Sequence, residues 1–346
     1  WQTDIERSFG GLMAFKSRNY PPESGILIPL AHQRQVIRDL LGSTQMRASD
    51  ADYLADRLVT NDGRCLYSHG SRQLPHYLEN LNGGNINPAP NVQVVSAFGA
   101  TARIDGDGGL GYMACRVGME KVLELTEQLG TGACTTGNHF HVGSVGTWTR
   151  MAAAKGYIGM AMSAHRNRLD PSRMISELPN ASPVSFAFPA GEQPPFVLDM
   201  GSNILPRDAE LMERMPHGFF KAIGLSAVVQ GLSGILAGIY REELTPPEGK
   251  WTANQGSFLC AWDVRHFMDV DEYTAEMDRF TEGARNMQPL PGLSRAELPG
   301  GMEWQWEKDN QERGIPLGDE HREQLETLAA EVGVDCGYAQ FDKTRF

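Results

Sequence analysis

Between residues 92 and 200, runs with the two-residue alternation of strands take turns with runs of helical period, which confines the chain to an α/β fold. Val92–Val95 and Ala100–Ile104 read as strands around a Phe98-Gly99 turn, and a helix is expected from Met113 to Leu129. Gly156–Met162, Val184–Phe188 and Phe196–Met200 read as strands, and so does Phe258–Trp262. The first quarter and the tail are helical. Apolar positions recur at helical spacing over Ala31–Leu41 and Ala51–Leu58, and Leu74 starts a short helix. Asp271–Met287, Glu303–Arg313 and Asp319–Val332 repeat the pattern at the other end.

The stretch Thr135-Thr136-Gly137-Asn138-His139-Phe140-His141-Val142-Gly143 looks like a strand that breaks into a helix leading to Arg150-Met151. Residues i and i+2 of a strand share a face, so His139 and His141 are expected to look into one space. Gly143 and Gly146 just beyond would let a ligand or another backbone come close. Two imidazoles on one face could also hold a metal for a lyase or hydrolase, with His69, His165 or Asp199 as further ligands. A lone His-x-His without a glutamate-containing zinc motif is a weak signal, and no metal is assigned.

Gly106, Gly108 and Gly111 satisfy G-x-G-x-x-G between a strand and a helix. A dinucleotide-binding turn of that kind needs an acidic residue ending the next strand. Here that strand ends in Thr135-Thr136-Gly137-Asn138, and Asp105 and Asp107 would repel a pyrophosphate. A structural turn is the better reading.

A formal net charge of −12 argues against nucleic acid or an anionic membrane as the main partner. The five scattered cysteines favour a reducing compartment, hence a cytoplasmic protein, and give no zinc spacing. Ala222–Tyr240 carries no charge, yet its many glycines and serines point to a buried helix rather than a membrane span. No linker long enough to separate independent domains is visible.

Six motifs, in order, resemble the malate/L-lactate dehydrogenase family that is unrelated to the Rossmann dehydrogenases. They are Ser68-His69-Gly70 with Leu74-Pro75 and Tyr77; Ile104 to Gly111; His141-Val142-Gly143 with Arg150-Met151-Ala152; Phe196-Val197-Leu198-Asp199-Met200; Lys221 to Leu225; and Leu298-Pro299-Gly300 with Gly314 to Leu317. The resemblance covers roughly residues 28–333. It implies a non-Rossmann α/β fold with a central mixed sheet, a helical N-terminal region and a helical C-terminal tail. The expected layout is an extension (1–27), a helical substrate-side region (28–90), a mixed-sheet cofactor region (91–300) and C-terminal helices (301–346) packing back on the N-terminal region.

The implied activity is NAD(P)-dependent interconversion of a 2-hydroxy acid, or a related hydroxy or amino compound, and its 2-oxo or imino form, in a homodimer. By the same resemblance His141, His69 and Asp199 are catalytic, with His141 as general acid/base. His165, Asp199, Met200, Gly201, Lys221 and Gly300 would contact NAD or NADP, and Ser68, Arg72, Gln73, Tyr77 and His139 would line the substrate. Two departures stand out. Gln73 occupies the usual position of a carboxylate-binding arginine, and the 201–220 loop is short. A family member that binds a nucleotide or small molecule without redox turnover is the remaining alternative.

Overall fold

The computed structural model describes residues 19–178, 182–245, 248–291 and 293–346, so residues 1–18 of the expected extension lie outside the description. Strand β1 (Gly25–Ile28) is followed by helices α1 (Leu30–Leu41), α2 (Ala48–Gly63) and α3 (Leu74–Asn82). Strands β2 (Gln93–Phe98) and β3 (Thr101–Asp105) come next, then α4 (Gly111–Leu129), β4 (Thr131–His139), α5 (Gly146–Ala153) and β5 (Tyr157–His165). The middle closes with β6 (Pro183–Phe188), β7 (Phe196–Gly201), α6 (Ala209–Arg214), α7 (Pro216–Val229) and β8 (Gln255–Asp263). The tail holds α8 (Val270–Arg285), α9 (Gly301–Arg313), β9 (Ile315–Gly318) and α10 (Asp319–Val332). The chain divides into two compact units, one made of the segments up to Gly83 and from Met302, the other running from Gly84 to Gly301.

In the first unit, β1 pairs antiparallel with β9, and this ribbon joins the two ends of the chain. Ile26, Ile28, Ile37, Leu54, Leu58 and Leu325 are fully buried and form its core. A polar network runs through the same interior. Gln33 donates to Ser71 Oγ at 2.9 Å and to Asp62 Oδ2 at 3.2 Å, Tyr338 donates to Gln33 at 2.7 Å, and Ser71 Oγ meets His321 Nε2 at 3.0 Å. Every link is hydrogen-bonded, as a buried polar group requires.

The second unit is a seven-stranded mixed sheet in the order β2-β3-β4-β8-β5-β6-β7. Strands β3 and β4 are parallel, and β8 lies antiparallel between β4 and β5. Strands β3, β4, β5 and β7 therefore point the same way, and their C-terminal residues Asp105, His139, His165 and Gly201 lie along one edge. Met162, Ala164, Val184 and Val229 pack on the face covered by α7. On the opposite face, Gly118 of α4 sits against Thr136, Cys134 and Leu259.

The glycine-rich turn is structural, as the sequence suggested. The amide of Gly106 donates to Gly137 O, Gly108 to Asn138 O, Gly109 to Gly106 O and Gly111 to His141 O. All four glycine amides are consumed by the protein and none is left to cradle a phosphate. A Cβ on Gly111 would stand 2.6 Å from Phe140 O and 2.5 Å from Val142 Cγ1.

The expectation of a buried Ala222–Tyr240 helix is corrected. Pro216–Ile235 is long and apolar enough to cross a membrane, and only 33% of that window is buried. Phe220, Val228, Ile235 and Leu236 are exposed, and nothing lies near the Cβ positions of Gly224 and Gly231. Gly224 and Gly231 thus face outward, whereas Gly234 is buried, and the helix switches to π geometry at Gln230–Ile235.

Gly111→Ala should destabilise the protein by about 1–3 kcal/mol despite alanine's better helix propensity, because a backbone carbonyl cannot yield. Urea unfolding checks this, and a neutral or stabilising result would contradict the packing described.

Candidate active site

The segment after β4 does not continue as a strand. Asn138 adopts φ +54°, and the pairing of β4 with β8 slips between Thr136 and His139. The expected common face for His139 and His141 is therefore lost. His139 is wholly buried. Its Nδ1 lies 2.8 Å from Phe140 O, so it carries the proton and donates, and Nε2 accepts from Thr136 Oγ1 at 2.8 Å. Burial pushes its pKa down to about 4.

With both ring nitrogens committed, His139 cannot contact a substrate or ligate a metal as placed. Its substrate role and the His-x-His metal alternative are corrected on that ground. Among the described residues no group of three or more His, Cys, Asp or Glu side chains gathers in metal-binding geometry.

His141 lies beyond the strand end and is half-buried. The loop that carries it is held at several points. Gly111 N donates to His141 O at 3.0 Å, and Trp148 Nε1 donates to Val142 O at 3.2 Å. Gly143 has φ +72°, and a Cβ there would strike the Tyr112 ring. The last anchor is Asp199 on β7, whose Oδ2 accepts from Ser144 Oγ at 2.5 Å and from Gly146 N at 2.9 Å. Asp199 thus caps the first turn of α5 from a distant strand, which suits a carboxylate at a helix N-terminus. What it orients is the loop bearing His141.

Around this anchor lie buried hydroxyls without partners among the described residues, at Thr147 and Ser202. His165 ends β5, where Gln255 of β8 pairs with both His165 and His139. Met200 turns to the opposite face from Asp199 and packs in the α7 cluster, while Gly201 ends the strand. Lys221 is exposed on α7. Gly300, at φ +90°, abuts the Val197 backbone, where Val197 N donates to Pro299 O. It serves a turn packed on β7 rather than a ligand contact, correcting its cofactor assignment.

The Ser68-His69-Gly70 loop belongs to the first unit. Asn61 Nδ2 donates to His69 O at 2.9 Å, Ser68 Oγ and His69 Nδ1 are 2.9 Å apart, and a Cβ on Gly70 would collide with Asp62. Gln73 turns back to donate to Ser68 O at 2.6 Å and so braces the loop. Arg72 Nε is buried without a hydrogen-bond partner among the described residues, and its Nη2 lies 3.9 Å from Glu320. Tyr77 is 0% exposed and belongs to the unit's core, so its substrate-lining role is also corrected. The residues that sequence reasoning missed are Ser144 and the Gly146 amide. A serine four residues before the helix-forming Trp148 was the available signal.

A sequence profile of the family described as malate/L-lactate dehydrogenase matches residues 28–214 and 206–326. The chain belongs to this family. It is 26% identical over 366 residues to malate dehydrogenase of Pyrococcus horikoshii, covering 92% of this chain and 99% of that protein. The solved structure of that enzyme superposes with a TM-score of 0.79, at 26% identity, over 91% of this chain and 98% of the other. Two further relatives carry a cofactor in their names. The (2R)-3-sulfolactate dehydrogenase (NADP(+)) of Chromohalobacter salexigens is 25% identical over 64% of this chain and 76% of its own length. The ureidoglycolate dehydrogenase (NAD(+)) of Escherichia coli is 20% identical over 77% and 85%.

Two outcomes follow from this geometry. The His139 value of about 4 lies below its unfolded value near 6.5, so the unfolded chain binds the extra proton between those pH values. Stability contributed by neutral His139 is complete above pH 6.5 and falls, by up to about 3 kcal/mol, as pH drops towards 4. His139→Asn should flatten that part of the urea-unfolding profile while lowering stability at pH 7; an unchanged slope would contradict the assignment. Asp199→Ala should cost about 2–4 kcal/mol from two lost charge-assisted bonds, and calorimetric melting measures the loss.

Proposed function

We propose that the chain is an NAD(P)-dependent dehydrogenase acting on the CH–OH group of a 2-hydroxy acid, with His141 as the acid/base. The observation that carries this reading is the division of labour between the two central histidines. His139 is sealed and neutral, whereas His141 stands past the strand end on a loop fixed from three sides. An imidazole so held can take the proton from a substrate hydroxyl, or return it to a carbonyl oxygen, without the loop reorganising.

The residues at the sheet edge fit a nicotinamide dinucleotide. The unpartnered buried hydroxyls of Thr147 and Ser202 and the Lys221 ammonium are donors suited to an anionic, hydroxyl-rich ligand. That cofactor, when bound, supplies or accepts the hydride. Asp199 keeps the His141 loop in place, and Lys221, His165, Met200 and Gly201 are assigned to cofactor contacts. On the substrate side we assign the Ser68–Gln73 loop, in which Ser68 fixes the His69 ring and Arg72 offers a cation for a carboxylate.

The working form we propose is a soluble, cytoplasmic homodimer. Its support is the exposed apolar face of α7 and the edge strand β2, where Val94, Val95 and Phe98 are exposed. Apolar surface of this extent on an enzyme of small molecules is best covered by a second copy.

Reduced-nicotinamide fluorescence should change on titration into the protein, and its absorbance should fall when a 2-oxoacid that is a substrate is added. His141→Ala should lower kcat roughly 10²–10⁴-fold and leave cofactor binding intact, with a far smaller kcat loss in His139→Asn. Equal losses in the two variants would overturn the assignment, and binding of neither cofactor would overturn the dehydrogenase reading.

A further inference from the structure

The segments that leave β5 and β7 line a wide-open cavity of about 600 Å³ within the second unit. Its walls carry Arg168, Arg173 and Arg207 in a chain whose net charge is −12. Strands β5 and β7 run parallel, so the cavity opens from the same sheet edge as His165 and Gly201. Asn167, a wall residue, follows His165 by two positions. Helix α7, which bears Lys221, is tied to another wall residue where Ser226 Oγ donates to Leu178 O at 3.2 Å.

The charges in this wall are unequally committed. Asp170 accepts from the amide and hydroxyl of Ser172 at 2.9 and 2.7 Å. Arg173 lies 3.6 Å from Asp170 and 3.2 Å from Glu177, so its charge is spent on two carboxylates and the three together carry a net −1. Arg168 is exposed and has no carboxylate partner among the described residues. Arg207 donates only to the Glu177 carbonyl, at 3.4 Å. The wall as a whole carries a net charge of +1, and Arg168 and Arg207 are its two guanidinium groups without a carboxylate partner among the described residues. Beside them Arg166, bound to the carbonyls of Ile239, Leu244 and Ala253, is disfavoured as a cation by burial and by Arg168. Between these cations the wall is apolar, through Leu169, Met174, Ile175 and Leu178.

An open apolar groove flanked by two guanidinium groups without carboxylate partners matches an adenosine carrying a phosphomonoester. The base takes the apolar wall, and the planar forks take the phosphate. We infer that this cavity receives the adenosine end of the dinucleotide and that Arg168 and Arg207 hold a 2′-phosphate, which makes the enzyme selective for NADP over NAD. The inference rests on the dehydrogenase reading and deepens it, because neither family membership nor the His141 geometry distinguishes the two cofactors. A ribose with a free 2′-hydroxyl would leave both cations unmatched. Arg173, held by Asp170 and Glu177, plays the smaller part.

Calorimetric titration of the full chain with adenosine 2′,5′-bisphosphate and with 5′-AMP tests this without turnover. The bisphosphate should bind at least tenfold more tightly. Arg168→Ala and Arg207→Ala should each lower its affinity roughly ten- to hundredfold, leaving 5′-AMP nearly unchanged. The fluorescence titration with NADPH and NADH should show the same preference and the same loss. Equal binding of the two nucleotides by the unaltered protein, or a preference that survives both substitutions, overturns the inference. If NADH and NADPH still bind equally well in that case, the dehydrogenase reading stands; if neither binds, both fall.

Discussion

The carboxylate of Asp199 holds together what the sheet would otherwise leave apart. It sits on β7, four strands away from β4, yet it caps the turn that follows β4 through Ser144 and Gly146. One anion satisfies two donors at a helix N-terminus, where the partial positive charge of the helix favours it. The consequence is that the crossover from β4 through α5 to β5 is pinned across the face of the sheet. His141 therefore stands on a braced loop. The glycine turn at residues 106–111 completes the brace from the other side by spending the Gly106, Gly108 and Gly111 amides on the 137–141 backbone.

This arrangement gives two histidines within three residues different surroundings. His139 stabilises the fold as a neutral, doubly bonded core group, and its burial would be costly if it were charged. His141, two positions on, escapes that burial because Asn138 breaks the strand with a left-handed residue. A single backbone conformation decides which of the two imidazoles is sealed in the core. The polar network of the first unit follows the same economy, since Asp62 and Asn61 at the end of α2 fix the loop bearing Ser68 and His69.

Much of this was legible before any coordinates. The strands from Val184 to Phe188 and from Phe196 to Met200 stand where alternation placed them, as do the helices over 113–129 and 319–332. The β1–β9 pair was not legible, because two four-residue strands with partners nearly the whole chain apart carry no local signal. The fate of His139 is written in the Gly137-Asn138 dipeptide, a pair that tolerates positive φ and so breaks the strand parity on which a shared face depends. The exposed face of α7 misled because small residues read as close-packing sites, and composition cannot say which side of a helix has a neighbour. The arginines after His165 carry no local signal of a site, since they follow a strand end in a polar stretch. Only the parallel run of β5 and β7 brings Arg207 to the same cavity.

In the proposed reaction His141 is the imidazole that meets the reacting oxygen while His139 stays sealed. Nitrogen-resolved NMR of the histidine rings, recorded before and after addition of NADPH with a non-reactive 2-oxoacid analogue, tests this most directly. The His141 ring signals should move on forming the complex, while those of His139 remain those of a neutral Nδ1–H tautomer throughout. A shifted His139 ring beside an unmoved His141 would contradict it.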